Sequence, residues 1–302
     1  MAEKPYILHM LTADEQMSPF DINMAADAGY GMVIPHTRVG LSQVAALTQD
    51  AIFSRGPKGV RRTGLFIGGR DGLLAEDMFD VARKAMVPPF EASVMVDPSG
   101  AFTTAAAAIA CLERHLRDRT LSLAARRVAI FGGTGPVGTA AAVLAARAGA
   151  RVGLVARADL DRTRQFCQQL TARHGVVLDV LDATSPAARS MLMAEVEVAL
   201  DTAKAGVQVV SATDLAQAAR MLVVADINAV PPSGIEGVGA FDNGAELSAG
   251  SGQARAIGAL TIGNVKYQTE KGLFEAMLSA QSARYLGLDE ALSEARRHAG
   301  LN

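Results

Sequence analysis

A glycine-rich turn between two apolar runs constrains the fold of this chain more than any other feature. Val128–Phe131 is a β-branched and aromatic run that stops at two glycines, which predicts a strand. An alanine-rich run over 139–148, closed by Gly149, predicts a helix, and Arg151–Val155 predicts a second strand. The order strand, glycine turn, helix, strand is typical of a doubly wound parallel sheet.

The glycines of this turn have the spacing G-x-G-x-x-G. In such a turn the first glycine makes the bend, the second lets backbone approach a pyrophosphate, and the third packs helix on strand. A proline in the first helical turn suits the start of the helix. We therefore expect a dinucleotide here rather than a glycine turn that binds nothing. The predicted cofactor-binding residues are Gly133, Thr134, Gly135, Pro136, Val137 and Gly138.

The end of the second strand predicts which dinucleotide is preferred. An acidic residue about 20 residues beyond the glycines suits the ribose of NAD, and an arginine suits the 2′-phosphate of NADP. The strand runs into Arg157, which favours NADP, whereas Asp159 leaves NAD open. Arg157 as a merely solvated surface charge is the alternative.

Composition excludes several classes of protein. With 302 residues, half of them hydrophobic, the chain suits two medium domains or one large one, and its net charge of −2 gives no sign of nucleic-acid binding. Its apolar runs are too short to span a membrane, and the amino terminus lacks the pattern of a signal peptide, so we expect a cytoplasmic protein. The two cysteines and five histidines show no metal-ligand spacing, and we expect no metal.

The first hundred residues alternate between strand and helix patterns. Strands are predicted at Tyr6–Leu11, Gly31–Pro35, Gly64–Gly68 and Ala92–Asp97, with helices between them. This alternation predicts a parallel sheet covered by helices. We divide the chain into an amino-terminal α/β domain (1–102), a Rossmann-type domain (103–265) and a helical carboxy-terminal segment (266–302) that packs back on the first domain.

Polar residues follow the predicted strands of the first domain. In open parallel sheets ligands bind beyond the carboxyl ends of the strands. Asp21 and Asp97 lie at such positions and are candidate site residues; the alternative is that Asp97-Pro98 only makes a turn.

The second half continues the alternation. We expect a strand at Val207–Ser211, a loop at Ile227–Ile235 where the nicotinamide or its substrate would lie, a last strand at Ala259–Ile262, a turn at Gly263-Asn264 and a long helix from Lys266 onward. Asn228, in the loop, is a further candidate cofactor contact.

Several longer segments are not general features of dinucleotide folds. They are MSPFDINMAADAG (17–29), LTQDAIFSR (47–55), RTGLFIGG (62–69), VPPF (87–90), DPSGAFTTAAA (97–107), INAVPPSGIEG (227–237) and IGALTIGNVKYQT (257–269). In them the chain resembles the NAD(P)-dependent methylene-tetrahydromethanopterin dehydrogenases of methylotrophic bacteria, over nearly its whole length. One departure lies at 201–210 (DTAKAGVQVV), where the family leads us to expect a small-residue loop instead of Asp201 and Lys204.

The resemblance implies an activity. Members of this family bind the reduced pterin in an interdomain cleft and act in formaldehyde oxidation. The resemblance also implies a homo-oligomer. Hydride transfer to NAD(P)+ leaves a resonance-stabilised methenyl cation and moves no proton, so positioning suffices. We expect Lys266 to orient the pterin and Asp21 and Asp97 to favour the developing positive charge. Two alternatives remain: the same chemistry on methylene-tetrahydrofolate, and a non-catalytic NADP-binding sensor.

Overall fold

The computed structural model describes residues 4–250 and 252–301. These residues form two compact units. The first contains the described chain up to Thr103 together with Tyr267–Glu294, and the second contains Thr104–Lys266 together with the chain from Ala295. All three boundaries, at 103/104, 266/267 and 294/295, fall inside helices. Among the described residues, no helix has the length and apolar composition that crossing a bilayer requires.

Parallel strands alternate with helices through most of the chain, which confirms the predicted α/β class. The strands are β1 (Ile7–Leu11), β2 (Met32–His36), β3 (Thr63–Ile67), β4 (Ser93–Val96), β5 (Arg127–Phe131), β6 (Arg151–Ala156), β7 (Asp179–Asp182), β8 (Val198–Asp201), β9 (Val223–Asp226), β10 (Asn243–Ala249), β11 (Gly252–Ile257) and β12 (Tyr285–Leu286). The helices are α1 (Pro19–Ala28), α2 (Val44–Phe53), α3 (Gly56–Gly59), α4 (Gly72–Lys84), α5 (Ala101–Arg117), α6 (Pro136–Arg147), α7 (Leu160–His174), α8 (Pro186–Glu195), α9 (Ala212–Gln217), α10 (Ala259–Leu278) and α11 (Leu288–His298).

The sheet of the first unit has the strand order β12-β4-β3-β1-β2, and all its described pairings are parallel. Its inner strands are mostly apolar, as expected for strands covered on both faces. Every residue of β3 and β4 is buried. β2 lies on one side of β1, and the next strand, β3, lies on the other side. The point where the strand order reverses is therefore between β1 and β3. Ligands of open α/β sheets bind at such a point.

The sheet of the second unit has the order β10-β11-β9-β8-β5-β6-β7. Its strands from β11 to β7 are parallel, and only the β10–β11 pair is antiparallel. The strand order reverses between β5, which precedes the glycine turn, and β8. Phe131 at the end of β5 stands opposite Asp201 at the end of β8. The carboxyl ends of these two strands therefore border the crevice where a dinucleotide is expected.

The prediction of a strand at Ala259–Ile262 and a turn at Gly263-Asn264 was wrong. Both segments belong to α10, which begins at Ala259. A four-residue apolar run fits a buried strand or the buried face of a helix equally well. Gly263 is tolerated inside the helix because a single glycine costs only about 1 kcal/mol.

The segment Val207–Ser211 is not a strand either. Only Val210 forms an isolated parallel bridge, with Ile235. Both edges of β8 are already occupied by β5 and β9, which leaves no place for an additional strand beside it. The strands β10 and β11 were not predicted, because their sequences contain few β-branched residues; Gly250-Ser251 between them is a hairpin signal that was available.

Candidate functional site

The glycine turn of the second unit is built around a backbone bend at Gly132. Gly132 has φ +70, a left-handed conformation that favours glycine. A Cβ there would also lie 2.6 Å from the carbonyl oxygen of Thr202. The bend closes with a hydrogen bond from Gly135 N to Gly132 O (2.9 Å). Sequence reasoning gave the bend to Gly133, whereas the residue that requires glycine for its φ is Gly132.

Two glycines of the turn differ in what surrounds them. A Cβ on Gly138 would lie 2.6 Å from Gly132 O and 2.6 Å from Thr202 Oγ1, so this glycine is needed for packing of α6 on the sheet. A Cβ on Gly135 would have only Gly132 O nearby, at 3.3 Å. Gly135 is the N-cap of α6 and is partly exposed, and it is less crowded than Gly138. The turn therefore fits a pyrophosphate, which needs close backbone approach at this position.

Arg157 and Asp159 follow β6 but have different surroundings. Arg157 is exposed, and its charge acts on the carboxyl of Asp201. Asp159 is the N-cap of α7, and its Oδ1 accepts a hydrogen bond from Arg162 N at 2.8 Å. One carboxylate oxygen of Asp159 is thus used by the helix, and contact of Arg157 with the cofactor stays a prediction.

Two buried carboxylates lie side by side at the ends of β8 and β9. Asp201 and Asp226 are paired in register and are 0 % and 1 % exposed. Asp226 accepts hydrogen bonds from Asn228 N (2.8 Å) and Ile235 N (3.0 Å), one on each oxygen. Asp201 Oδ1 accepts from Ala203 N at 2.9 Å. Burial, followed by the neighbouring Asp226 carboxylate, raises the pKa of Asp201 to about 7, against the opposing effects of the Ala203 N–H and Arg157.

Asn228 holds together the two loops that follow these strands. Its Oδ1 accepts from Gly206 N (3.2 Å) and Val230 N (3.0 Å), and its Nδ2 donates to Pro232 O (3.0 Å). The side chain is 7 % exposed. These contacts show a loop-holding role for Asn228; direct contact with the cofactor stays a prediction.

At the carboxyl edge of the first unit, polar residues gather where the strand order reverses. Thr12 follows β1 and is fully buried, and Gly69, with φ +125, follows β3. A Cβ on Gly69 would lie 3.1 Å from Thr12 Oγ1. Asp21, on α1, is 2 % exposed, and its Oδ2 lies 3.7 Å from the position of a Cβ on Gly68. Asp21 therefore lies at the rim of this sheet, and its role as a site residue stays a prediction.

Asp97 lies at the same edge, but its carboxylate is engaged by the start of α5. Its Oδ1 accepts from Phe102 N (2.9 Å) and Thr103 N (3.3 Å), and its Oδ2 accepts from Thr103 Oγ1 (2.6 Å). The residue is fully buried. The structure therefore gives Asp97 a helix-capping role, and its proposed contact with substrate is untested.

Lys266 lies inside α10 and does not follow a strand and turn as the sequence suggested. The side chain is half-buried. Glu270, one helical turn later on the same face, is fully buried, which is rare for a carboxylate. Sequence reasoning did not single out Glu270. Its only signal was its position four residues after Lys266 in a helical pattern.

Asp226 was also missed as a functional candidate, and Asp201 was noted only as a departure from the expected loop. The available signal was an acidic residue ending each of two apolar runs, VAL-Asp201 and VVA-Asp226. Within the described ranges, no group of three or more His, Cys, Asp or Glu side chains has the arrangement of a metal site.

Comparison with known proteins identifies close relatives. Residues 19–99 match the family model described as methylene-tetrahydromethanopterin dehydrogenase, N-terminal. The chain is 44% identical over 295 residues to the NAD(P)-dependent methylenetetrahydromethanopterin dehydrogenase of Methylorubrum extorquens, covering 97% of this chain and 99% of that protein. It is 29% identical over 281 residues to the bifunctional protein MdtA of the same organism, covering 89% and 95%.

Solved structures of more distant proteins share the fold. Shikimate 5-dehydrogenase from Listeria monocytogenes, solved with shikimate and NAD, superposes with a TM-score of 0.50 at 11% identity, over 97% of this chain and 98% of that one. At this identity the likeness shows the fold alone. The identity with the first relative confirms the resemblance drawn from the sequence: the chain belongs to the family of NAD(P)-dependent methylenetetrahydromethanopterin dehydrogenases.

Proposed function

We propose that this enzyme transfers a hydride from methylene-tetrahydromethanopterin to NAD(P)+ and gives the methenyl pterin. The observation that carries the proposal is the open backbone cradle at Gly135, at the start of α6, in a chain that is 44% identical to a named dehydrogenase. The cradle accounts for the dinucleotide and the relative's name for the pterin. A bound nicotinamide supplies the hydride acceptor.

The residues of the second unit have distinct tasks in binding the dinucleotide. The N–H groups at the start of α6 bind the pyrophosphate, because the helix terminus carries partial positive charge there. Thr134, Pro136 and Val137 shape the turn between the glycines. Arg157 binds the 2′-phosphate, which makes NADP the preferred cofactor. Asn228 keeps the loop 227–235 in place beside the nicotinamide.

The first unit carries groups suited to a reduced pterin. Loss of hydride leaves positive charge spread over two ring nitrogens, and a nearby buried carboxylate stabilises such a charge. Asp21 is buried at the rim and is the carboxylate we assign to this task. Asp97 keeps the start of α5 in position. Lys266, which belongs to the second unit, is the cation that we assign to orienting a pterin carbonyl or ring nitrogen. Since no proton moves in the hydride step, none of these residues acts as a general acid or base.

The proposal is tested by following NADPH absorbance with methylene-tetrahydromethanopterin and NADP+. Lys266→Ala is expected to lower turnover roughly a hundredfold, while NADP affinity stays within about twofold, because the pterin loses its orienting group. Lys271→Ala is the matched control: Lys271 lies on the same helix in a surface ion pair with Glu275 (3.4 Å), and its loss should leave turnover unchanged.

Two outcomes would contradict the proposal. Faster turnover with methylene-tetrahydrofolate than with the methanopterin would assign the enzyme to the folate substrate. Tight NADP binding without turnover on either pterin would make it a sensor. Near-normal turnover of Lys266→Ala would remove Lys266 from the mechanism.

We also propose a homo-oligomer, which light scattering during size-exclusion chromatography would test.

A further inference from the structure

The carboxyl groups of Asp201 and Asp226 converge on one point of the protein. A Cβ on Gly234 would overlap Asp201 Oδ2 and would lie 3.2 Å from Asp226 Oδ1. Both residues are almost completely buried. Two ionised carboxylates held this close in a buried site repel each other strongly, so such pairs retain a proton.

The hydrogen bonds show where that proton lies. Both oxygens of Asp226 accept from backbone N–H groups, so neither oxygen is placed to donate a proton to those groups. Asp201 Oδ1 also accepts from a backbone N–H, but Asp201 Oδ2 is buried and accepts no hydrogen bond from the protein. A proton on Asp201 Oδ2 satisfies this oxygen, because it can then donate to the Asp226 carboxylate.

The groups around Asp201 favour the same arrangement. The charged groups that act on it are Asp226 on β9 and Arg157 after β6. On the other side, β5 places the uncharged Phe131 opposite it, and the covering loop contributes Gly234. The only cation among them, Arg157, is exposed and therefore well screened by solvent.

The pair also anchors the loop 227–235. Asp226 binds the N–H groups of Asn228 and Ile235, near the two ends of this loop. Between these points, Gly234 O accepts from Val209 N (2.7 Å) and Val210 N (3.0 Å), which ties the loop to the segment following β8. A second negative charge at Asp201 would therefore act on a loop that is fixed at both ends through Asp226.

We propose that Asp201 and Asp226 hold a single proton between them and act as a positioning pair for the loop 227–235 that borders the dinucleotide crevice. The part that concerns the cofactor rests on the proposed function of that crevice. Loss of the shared proton leaves two adjacent buried carboxylates, and their repulsion displaces Gly234 and the loop. NADP affinity then falls as pH rises above neutrality.

The test uses the same carboxyl-to-amide change at both residues. In Asp201→Asn, the amide oxygen still accepts from Ala203 N, and Nδ2–H replaces the shared proton as a donor to Asp226. This variant should bind NADPH within about twofold of wild type. In Asp226→Asn, one of the two N–H groups meets an amide nitrogen instead of an acceptor, so NADPH binding should weaken roughly tenfold, the size expected for one buried unpaired donor.

The pH profile separates a shared proton from a merely structural role. NADPH affinity is measured by fluorescence titration from pH 5 to 9. In wild type the affinity should fall at alkaline pH, and in Asp201→Asn this additional fall should be absent. The ligand's own phosphate titrates equally in both measurements, so the difference reports the pair. Infrared difference spectra of wild type against Asp201→Asn at pH 6 should show a carboxylic-acid carbonyl band, a readout that does not require Asp226→Asn to fold.

Each outcome supports or overturns the proposal. Equal losses in the two amide variants, or no carboxylic-acid band, would overturn the shared proton. A band and a flat Asp201→Asn profile, together with unchanged NADPH affinity in a folded Asp226→Asn, would overturn the positioning role. Failure of all variants and wild type to bind NADPH would instead contradict the proposed function of the crevice, whatever the infrared result.

Discussion

At the scale of single residues, Gly135 and Gly138 separate binding from packing. The backbone conformation of Gly135 (φ −80, ψ 165) is accessible to any residue, and the protein atom nearest to a Cβ there would be Gly132 O, at 3.3 Å. Gly135→Ala should therefore fold like wild type but bind NADPH about tenfold more weakly, because its methyl group occupies the path of the pyrophosphate. Fluorescence titration and thermal unfolding measure the two effects.

Gly138→Ala is the matched variant that should lower stability instead of binding. Its Cβ would lie 2.6 Å from each of two oxygens, Gly132 O and Thr202 Oγ1, so the free energy of unfolding should fall by about 1–3 kcal/mol. Urea unfolding gives this value. A stable Gly138→Ala variant, or a Gly135→Ala variant with full NADPH affinity, would contradict the assignment of the two glycines.

Arg157 decides the cofactor preference at the same scale. Arg157→Ala should weaken NADP binding about tenfold to a hundredfold and leave NAD binding nearly unchanged, because only NADP carries the phosphate that a guanidinium binds. Arg164→Ala is the control for a general loss of positive charge. It removes an exposed arginine of α7 that pairs with Asp161 on the same helix. Equal losses for NADP and NAD would exclude Arg157 from phosphate recognition.

At the scale of elements, Asp97 connects a strand end to the start of a helix. Its carboxylate accepts three hydrogen bonds from Phe102 and Thr103 in a fully buried site. Asp97→Ala should lower the free energy of unfolding by on the order of 3 kcal/mol, because buried donors lose their acceptor.

Asp71 provides the control for Asp97, since it caps α4 at an exposed position by accepting from Leu74 N (3.0 Å). Asp71→Ala should cost only about 1 kcal/mol, because water can replace the lost acceptor. Both values come from urea unfolding. Similar small losses in the two variants would show that Asp97 does not hold the start of α5.

Also at this scale, the sequence predicted helices and strands well where the local order of residue types fits only one structure. The strand–turn–helix around Gly133 was predicted because β-branched residues, glycines and alanines follow one another there. The start of α10 was not, since Ala259–Ile262 is a short apolar run whose periodicity fits either structure. The helical role of that segment depends on what covers it, and a single sequence does not contain that information.

At the scale of the whole molecule, continuous helices connect the two units. The boundary at 103/104 falls inside α5 (Ala101–Arg117), the boundary at 266/267 inside α10 (Ala259–Leu278), and the boundary at 294/295 inside α11 (Leu288–His298). Unfolding of either unit alone would break all three helices. We therefore expect a single cooperative transition in calorimetry.

Calorimetry with NADP tests this expectation. Cofactor at a hundred times its dissociation constant stabilises the folded state by about 2.7 kcal/mol, so the whole transition should move to higher temperature. Gly135→Ala at the same NADP concentration should shift less. Two transitions, of which NADP moves only one, would show that the units unfold independently.

The sequence by itself determined the α/β class, the glycine turn and the family, because these follow from local spacing and from segments long enough to be specific. Only the tertiary structure decided that Asp201 and Asp226 meet, since they are 25 positions apart and are brought together by the register of β8 and β9. It also showed that Asp97 is a buried cap. Burial and partnership depend on which strands become neighbours, and the pairing of strands is a property of the folded sheet.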